Sequence, residues 1–271
     1  MDRTLFADLD RNPAEMVTML IAALAEMARH PEIRRVRQVA RDALAPIAGR
    51  RLLDAGCGGG EVARQLAAEG AEVVAMDYSA TTIAAARERH DGSAVTYVTG
   101  DVGATGLPDD SMDGVWCERV LQHVADADRV IGEFARVTRP GGRVCLIDTD
   151  WDSMAFDGPP PAMSAAVLGH LEEHFTPYQR EMGRTLRRRL VTGGLADVRA
   201  TPVTCYFGAP ESAAVVLPMV NPRVPIDAGM WPPGERAQWL TAVAEAGARG
   251  DFLAVLTIWV VSGVVRSPGS V

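Results

Sequence analysis

Between residues 16 and 27 apolar side chains recur at Met16, Met19, Leu20, Ala23, Leu24 and Met27, the three-and-four spacing of a single helix face. Asn12, Pro13 and Glu15 stand ahead of them as an N-cap, a first-turn proline and an acid at the third position, so the pattern predicts an amphipathic opening helix. His30-Pro31 ends it, and a second stripe of Ile33, Val36, Val39, Ala40 and Leu44 predicts another helix, stopped at 46–49. From Arg51 the rhythm changes to short apolar runs alternating with helical stretches. Strands are expected at 51–54, 72–77, 94–99, 113–117 and 143–148. Helices are expected at 61–69, at 80–89 behind Ser79, and at 126–137 before the stop Arg139-Pro140-Gly141-Gly142. Beyond Asp150 the pattern loosens: a proline-rich loop, helices at 165–174 and 185–192, a long strand at 197–207, a proline-studded stretch at 208–250, and an apolar strand at 252–261.

Strands interleaved with helices at this spacing imply right-handed crossovers and a parallel, doubly wound α/β sheet, whose ligands bind at the carboxyl ends of the strands. The expected organisation is a helical cap at 1–49, a binding core at 50–150, and the rest of the core at 151–271, with insertions at about 151–183 and 208–250 serving as lids or substrate elements. The methionine-rich face of the first helix fits either packing on the core or a lid over a hydrophobic substrate.

Charge narrows the partners. The 271 residues carry 35 acids against 27 bases, every base an arginine, for a formal charge of −8. Nucleic-acid binding needs clustered cations facing outward; the two dense groups, Arg34/Arg35/Arg37 and Arg187/Arg188/Arg189, lie in helical patterns flanked by acids and read as solvated faces. Without lysine there is no Schiff-base chemistry. Cys57, Cys117, Cys145 and Cys205 are far apart, which suits a reducing cytoplasm. The opening apolar stretch is preceded by acids instead of a basic flank, so no secretion signal is expected. The longest apolar run, 252–265, falls short of the roughly 20 residues of a membrane helix, so no membrane span is expected.

The strongest chemical signal is Leu53-Asp54-Ala55-Gly56-Cys57-Gly58-Gly59-Gly60, a strand ending in an acid and a glycine turn that opens a helix. Such a turn demands unusual φ and lets a ligand lie against backbone. Asp77 closes the next strand, 21 residues after Gly56, where a carboxylate can accept both ribose hydroxyls. A dinucleotide site would put a third glycine at position 61, but Glu61 stands there and would repel a pyrophosphate. Asp54 suits a cationic amine. S-adenosylmethionine, with an ammonium, a sulfonium and no phosphate, matches this charge pattern.

The ordered segments LLDAGCGGG, VVAMDYS, VTGDVGATGLP, SMDGVWCERVLQHVAD and RVTRPGGRVCLID, spread over about 50–150, resemble class I S-adenosylmethionine-dependent methyltransferases of the small-molecule branch, similar to ubiquinone/menaquinone methyltransferases. The resemblance implies a Rossmann-like, mostly parallel seven-stranded sheet. It also implies that Asp54, Gly56, Gly58 and Gly60 line the methionine end of the cofactor and that Asp77 holds the ribose. Tyr78 would lie along the adenine, Asp101 would accept from its amino group beside Val102, and Cys117 and Glu118 would border the sulfonium. S-adenosylhomocysteine would be the product.

Methyl transfer to an activated carbon asks the protein to position the acceptor and exclude water, with a base where the acceptor carries a proton. His123, six residues past Cys117, is the candidate base, with an ordinary pKa near 6.5, or else a loop-holding side chain. Its spacing from Cys117 resembles that in phosphobase methyltransferases, whose matching His is catalytic; the N-terminal Tyr they pair with it has no counterpart before Tyr78. Arg119 could bind an acidic substrate or pair with Glu118. Asp148, Asp150 and Trp151 close the fifth strand and should face the pocket. No Asn stands near those carboxylates, so no metal is expected. His170-Leu171-Glu172-Glu173-His174 matches a zinc-peptidase pattern with no other peptidase feature, and His170 and His174 are taken as borders of the acceptor pocket. The expected function is methyl transfer to a small molecule, a bacterial secondary metabolite or quinone-like compound; a cyclase or rearrangement enzyme, or a non-catalytic binding module on the same fold, is the alternative. A homo-oligomer is compatible with the sequence.

Overall fold

A computed structural model describes residue 10 and residues 14–89, 91–174, 179–223 and 234–267, with the side chains of 14, 15 and 174 left aside. The N-cap expected at Asn12 and Pro13 lies outside the described residues. Seven strands form one sheet: β1 (Arg51–Ala55), β2 (Glu72–Asp77), β3 (Val95–Thr99), β4 (Met112–Glu118), β5 (Thr138–Asp157), β6 (Ala196–Phe207) and β7 (Leu253–Val264), ordered β3-β2-β1-β4-β5-β7-β6. The first five pair in parallel, while β7 runs antiparallel between β5 and β6. This is the mostly parallel, doubly wound sheet the alternation predicts.

Parallel strands are buried on both faces and therefore read as continuous apolar runs. Leu52 and Trp116 point to one face, where they meet helices α2 (Pro31–Leu44) and α3 (Glu61–Ala68). Leu53, Val115 and Leu146 point to the other, against α5 (Ala127–Val137) and α7 (Met182–Thr192). Burying both faces fixes each strand's register. The order reverses at β1, which has β2 on one side and β4 on the other, so a crevice opens at the carboxyl ends of these three strands.

Polar capping sets the helix starts around that crevice. His30 accepts the Glu32 N–H ahead of Pro31, Ser79 accepts from Thr82 at the start of α4 (Ala80–Glu88), and Asp10 accepts the Ala80 and Thr81 N–H groups of the same helix. Above the sheet edge, α1 (Ala14–Arg29) packs Val17, Leu20 and Ile21 in a small cluster of their own. Helix α2, in contrast, is built into the core layer through Ile33, Val36 and Ala40, so that part of the expected 1–49 cap belongs to the core.

Two stretches differ from the sequence reading. The fifth strand begins at Thr138 and continues to Asp157, with its pairing to β7 shifting between Asp150 and Ala155, because the Pro-Gly-Gly segment extends instead of forming a separate turn. The proline-rich 208–250 holds helices α8 (Pro210–Val216) and α9 (Glu235–Arg249). Pro210 occupies the first helical position, and Pro161 likewise opens α6 (Pro161–His174); there a missing N–H costs nothing. No described helix is long and apolar enough to cross a membrane.

Candidate functional site

A cavity of about 350 Å³ occupies the crevice. Its floor is the turn after β1 (Asp54, Gly56, Cys57, Gly58, Gly59) with Glu61 and Val62 of α3. One wall is Asp77, Tyr78, Thr82, Asp101 and Val102. The opposite wall is Glu118, Arg119, Val120, His123 and Val124, with Arg37 below, and Leu24, Met27 and Ala28 of α1 form the roof. The roof therefore comes from the methionine-bearing helix. No described residue of 151–183 or 208–250 lines the cavity; of these stretches α6 packs on β5 and α8 on β6, and 175–178 and 224–233 lie outside the described residues.

The turn is shaped by two close approaches. Gly56 has φ +77°, and a Cβ there would stand 2.1 Å from Val120 Cγ2, so the backbone comes flush against the opposite wall only without a side chain. Gly60 has φ +76° and faces the Tyr97 ring of β3, which a Cβ would meet at 2.8 Å; it is not among the residues lining the cavity. The Gly58 N–H donates to Asp77 Oδ2 at 2.9 Å, and the Ser79 N–H donates to Oδ1 at 3.0 Å, which fixes the Asp77 carboxylate at the end of β2. Burial pushes the Asp77 carboxyl above its ordinary range.

Asp54 is buried, and its Oδ2 has no hydrogen-bond partner among the described residues. Burial first, and the Glu118 charge second, push its carboxyl up to about 8 against the pull of Arg37. Glu118 accepts from Arg37 Nε through both oxygens, at 3.0 and 2.9 Å, and the two side chains keep only 11% and 12% of their exposure. Arg37 thus points inward to the cavity floor, not to solvent as its place in the arginine triplet suggested. Its position was legible: 37 follows Ile33 by four and precedes Leu44 by seven, on the buried stripe.

Because Glu118 is committed to Arg37, the expected alternative of an Arg119–Glu118 pair does not form. Arg119 has φ +58°, donates its backbone N–H to Ile147 at 2.7 Å, and lays its guanidinium against the Met27 sulfur and 5.9 Å from the centre of the Trp151 ring. The next residues turn once (Leu121–His123), and three groups behind the wall hold that turn. Asp148 Oδ2 accepts the Gln122 N–H at 3.1 Å, Gln122 Nε2 donates to the Arg119 carbonyl at 3.4 Å, and Trp151 Nε1 donates to Gln122 Oε1 at 2.6 Å. Burial pushes the Asp148 carboxyl up to about 7. His123, at the end of the turn, is pushed down to about 3 by burial and by the neighbouring Arg119 charge, so its imidazole is neutral near pH 7.

Several expected site residues lie elsewhere. Asp148 and Trp151 are buried behind the cavity wall and Asp150 is tied to Arg184 at 2.6 and 2.5 Å; none of the three lines the cavity. Cys117 alternates to the opposite sheet face among Ala55, Val115 and Leu146. His170 pairs with Glu235 at 2.8 Å on the surface, joining α6 to α9, and the His174 side chain lies outside the described residues. Tyr78 is 67% exposed at the mouth, Val102 is buried, and Asp101 accepts the Gly103 N–H at 2.7 Å and meets Arg129 at 3.3 Å. Among the described residues no His, Cys, Asp and Glu cluster could hold a metal ion.

The lining is of two kinds. Asp54, Glu61 and Asp77 bring carboxylates with one oxygen, Asp54 Oδ2, unsatisfied, an acceptor set that fits an ammonium and hydroxyl groups and opposes a phosphate. Leu24, Met27, Val120 and Val124 supply apolar lining, and His123 and Arg119 line the same cavity.

The sequence matches the model of a methyltransferase domain over residues 53–146. It is 32% identical over 247 residues to an uncharacterized 37.1 kDa protein in a transposon of Streptomyces fradiae, covering 89% of this chain and 70% of that protein. It is 31% identical over 182 residues to the demethylmenaquinone methyltransferase of Beutenbergia cavernae, covering 63% of this chain and 70% of the enzyme. The fold is similar to that of phosphoethanolamine N-methyltransferase 2 of Haemonchus contortus, solved with phosphomonomethylethanolamine and S-adenosylhomocysteine, with TM-score 0.64, 19% identity, 98% of this chain and 61% of that chain covered.

Proposed function

This chain belongs to the class I S-adenosylmethionine-dependent methyltransferases, and we propose that it methylates a small molecule, quinone-like or a secondary metabolite, held between α1 and the Leu121–His123 turn. The observation that carries the reading is the unsatisfied Asp54 oxygen at the glycine turn, a buried acceptor facing the place where a cationic amine would sit. S-adenosylmethionine, when bound, supplies a methyl group made electrophilic by its sulfonium. Asp54, Gly56 and Gly58 would hold the methionine end and Asp77 the ribose hydroxyls. Tyr78, Asp101 and Val102 would border the adenine, and Glu118, fixed by Arg37, would flank the centre.

The rest of the task is positioning and exclusion of water. Leu24, Met27 and Ala28 close the cavity from above with apolar surface. His123, neutral near pH 7, accepts a hydrogen bond from an acceptor O–H or N–H and so aims the lone pair that attacks. Storing a full proton on it would place a second cation beside Arg119, so the role supported is alignment, in place of a base titrating near 6.5. Trp151 and Asp148 hold the turn from behind. The acidic cavity and a formal charge of −8 disfavour a nucleic-acid acceptor, and four buried free cysteines suit a reducing cytoplasm.

Thermal unfolding with S-adenosylhomocysteine, with NADH and with neither tests the reading. S-adenosylhomocysteine at 100 times its dissociation constant should stabilise by about 2.7 kcal/mol, NADH should not, and Asp77→Ala should abolish the effect. Stabilisation by NADH alone would refute it.

A further inference from the structure

Among the described residues the Arg119 guanidinium forms no ion pair. Two carboxylates lie near enough to act on it, and both are committed: Glu118 to Arg37 through both oxygens, Asp148 to the N–H groups of Gln122 and Thr149. Among the described residues no carboxylate stands within ion-pairing distance of its guanidinium, which rests between the Met27 sulfur and the Trp151 ring. Burial draws its proton affinity below the ordinary arginine range, yet an arginine stays charged at neutral pH, so this is a desolvated cation lining a cavity. Such a group is costly unless the ligand answers it. The backbone is built to keep it there: left-handed φ at Arg119, its N–H fixed to Ile147, its carbonyl bonded to Gln122.

We propose that Arg119 is the anchor for a carboxylate on the methyl acceptor, whose body lies in the apolar pocket of Leu24, Met27 and Val124. The inference rests on the methyltransferase reading of the cavity and adds the substrate class. The guanidinium fork grips a carboxylate in two parallel hydrogen bonds, and the Trp151 ring, 5.9 Å from the guanidinium carbon, backs it.

The probes are hexanoate and its uncharged isostere hexanamide, each titrated by ligand-observed NMR into the protein saturated with S-adenosylhomocysteine. Hexanoate should bind at least about tenfold more tightly than hexanamide, and R119M should erase that preference while S-adenosylhomocysteine affinity stays within about threefold of wild type. R119Q replaces R119M if the latter does not fold, and the wild-type preference needs no variant at all. Equal binding of the two probes, absence of hexanoate binding, or a preference that survives R119M overturns the proposal. Failure of S-adenosylhomocysteine to bind the wild type would instead remove the reading on which it rests.

Discussion

Asp54 should make cofactor binding depend on pH. Its carboxyl sits at about 8, yet the ammonium it is suited to hold requires the ionised form. The apparent dissociation constant is then the intrinsic one divided by the ionised fraction. That fraction is about 1% at pH 6 and about a quarter at pH 7.5, so S-adenosylhomocysteine should bind about 25-fold more tightly at pH 7.5 than at pH 6. Near pH 6 about one proton should leave per ligand bound. Isothermal titration in two buffers of different ionisation enthalpy measures both quantities. In Asp54→Asn the affinity should be flat over this range and no proton released. The stability of the ligand-free protein should depend on pH through the same carboxyl. A carboxyl raised above its unfolded value of 3.8 is protonated in the folded chain where the unfolded chain has lost its proton, so its contribution to stability falls as pH rises from about 4 to 8. Asp54→Asn should lose that slope. Wild-type affinity constant within about twofold between pH 6 and 7.5, or the same slope in Asp54→Asn, would refute the assignment of Asp54 to the ammonium.

Arg37→Met strands the Glu118 carboxylate in a largely buried site and should cost about 3 kcal/mol or more in denaturant unfolding, with Glu118→Gln in the same chain recovering part of it. Gly56→Ala meets both left-handed φ and the Val120 side chain, so about 2 kcal/mol or more of stability and measurable S-adenosylhomocysteine binding should be lost; Val120→Ala should relieve only the contact. Trp151→Phe leaves Gln122 Oε1 without its donor and should cost about 1–3 kcal/mol by calorimetry while cofactor affinity holds. His170→Ala removes an exposed pair and should shift stability by less than about 1 kcal/mol with no change in cofactor affinity; a large loss of affinity would place it in the site after all.

What could be read from sequence is what local physics determines. The strands that hold the crevice were legible because parallel strands are apolar on both faces, and the glycine turn because left-handed φ and close approach leave few residue choices. Asp77 followed from spacing alone. Arg37 was misplaced because charge clustering was weighed above its register on the buried stripe. The resemblance puts Cys117 at the sulfonium and the strand end puts Trp151 at the pocket, whereas side-chain alternation and a bulged, prolonged β5 turn them to other surfaces. Arg119 could not be resolved from the chain, because its freedom depends on which partner, 81 residues away, Glu118 takes. The helix at 210–216 is hidden by a proline, Pro210, that stands at its start.

The small separate cluster under α1 gives the protein two levels of stability. Val17, Leu20 and Ile21 pack with Met16 and Ala85, apart from the two large clusters that hold the sheet. Freeing that helix from His30-Pro31 outward breaks few apolar contacts and no sheet hydrogen bond, so its opening belongs to the cheap end of the native ensemble. Amide exchange in α1 should proceed at an opening free energy well below that of β1 and β4, and ligands gripped under the helix should slow exchange there first. Occupancy of the cavity would then be written in the protection of the helix that roofs it.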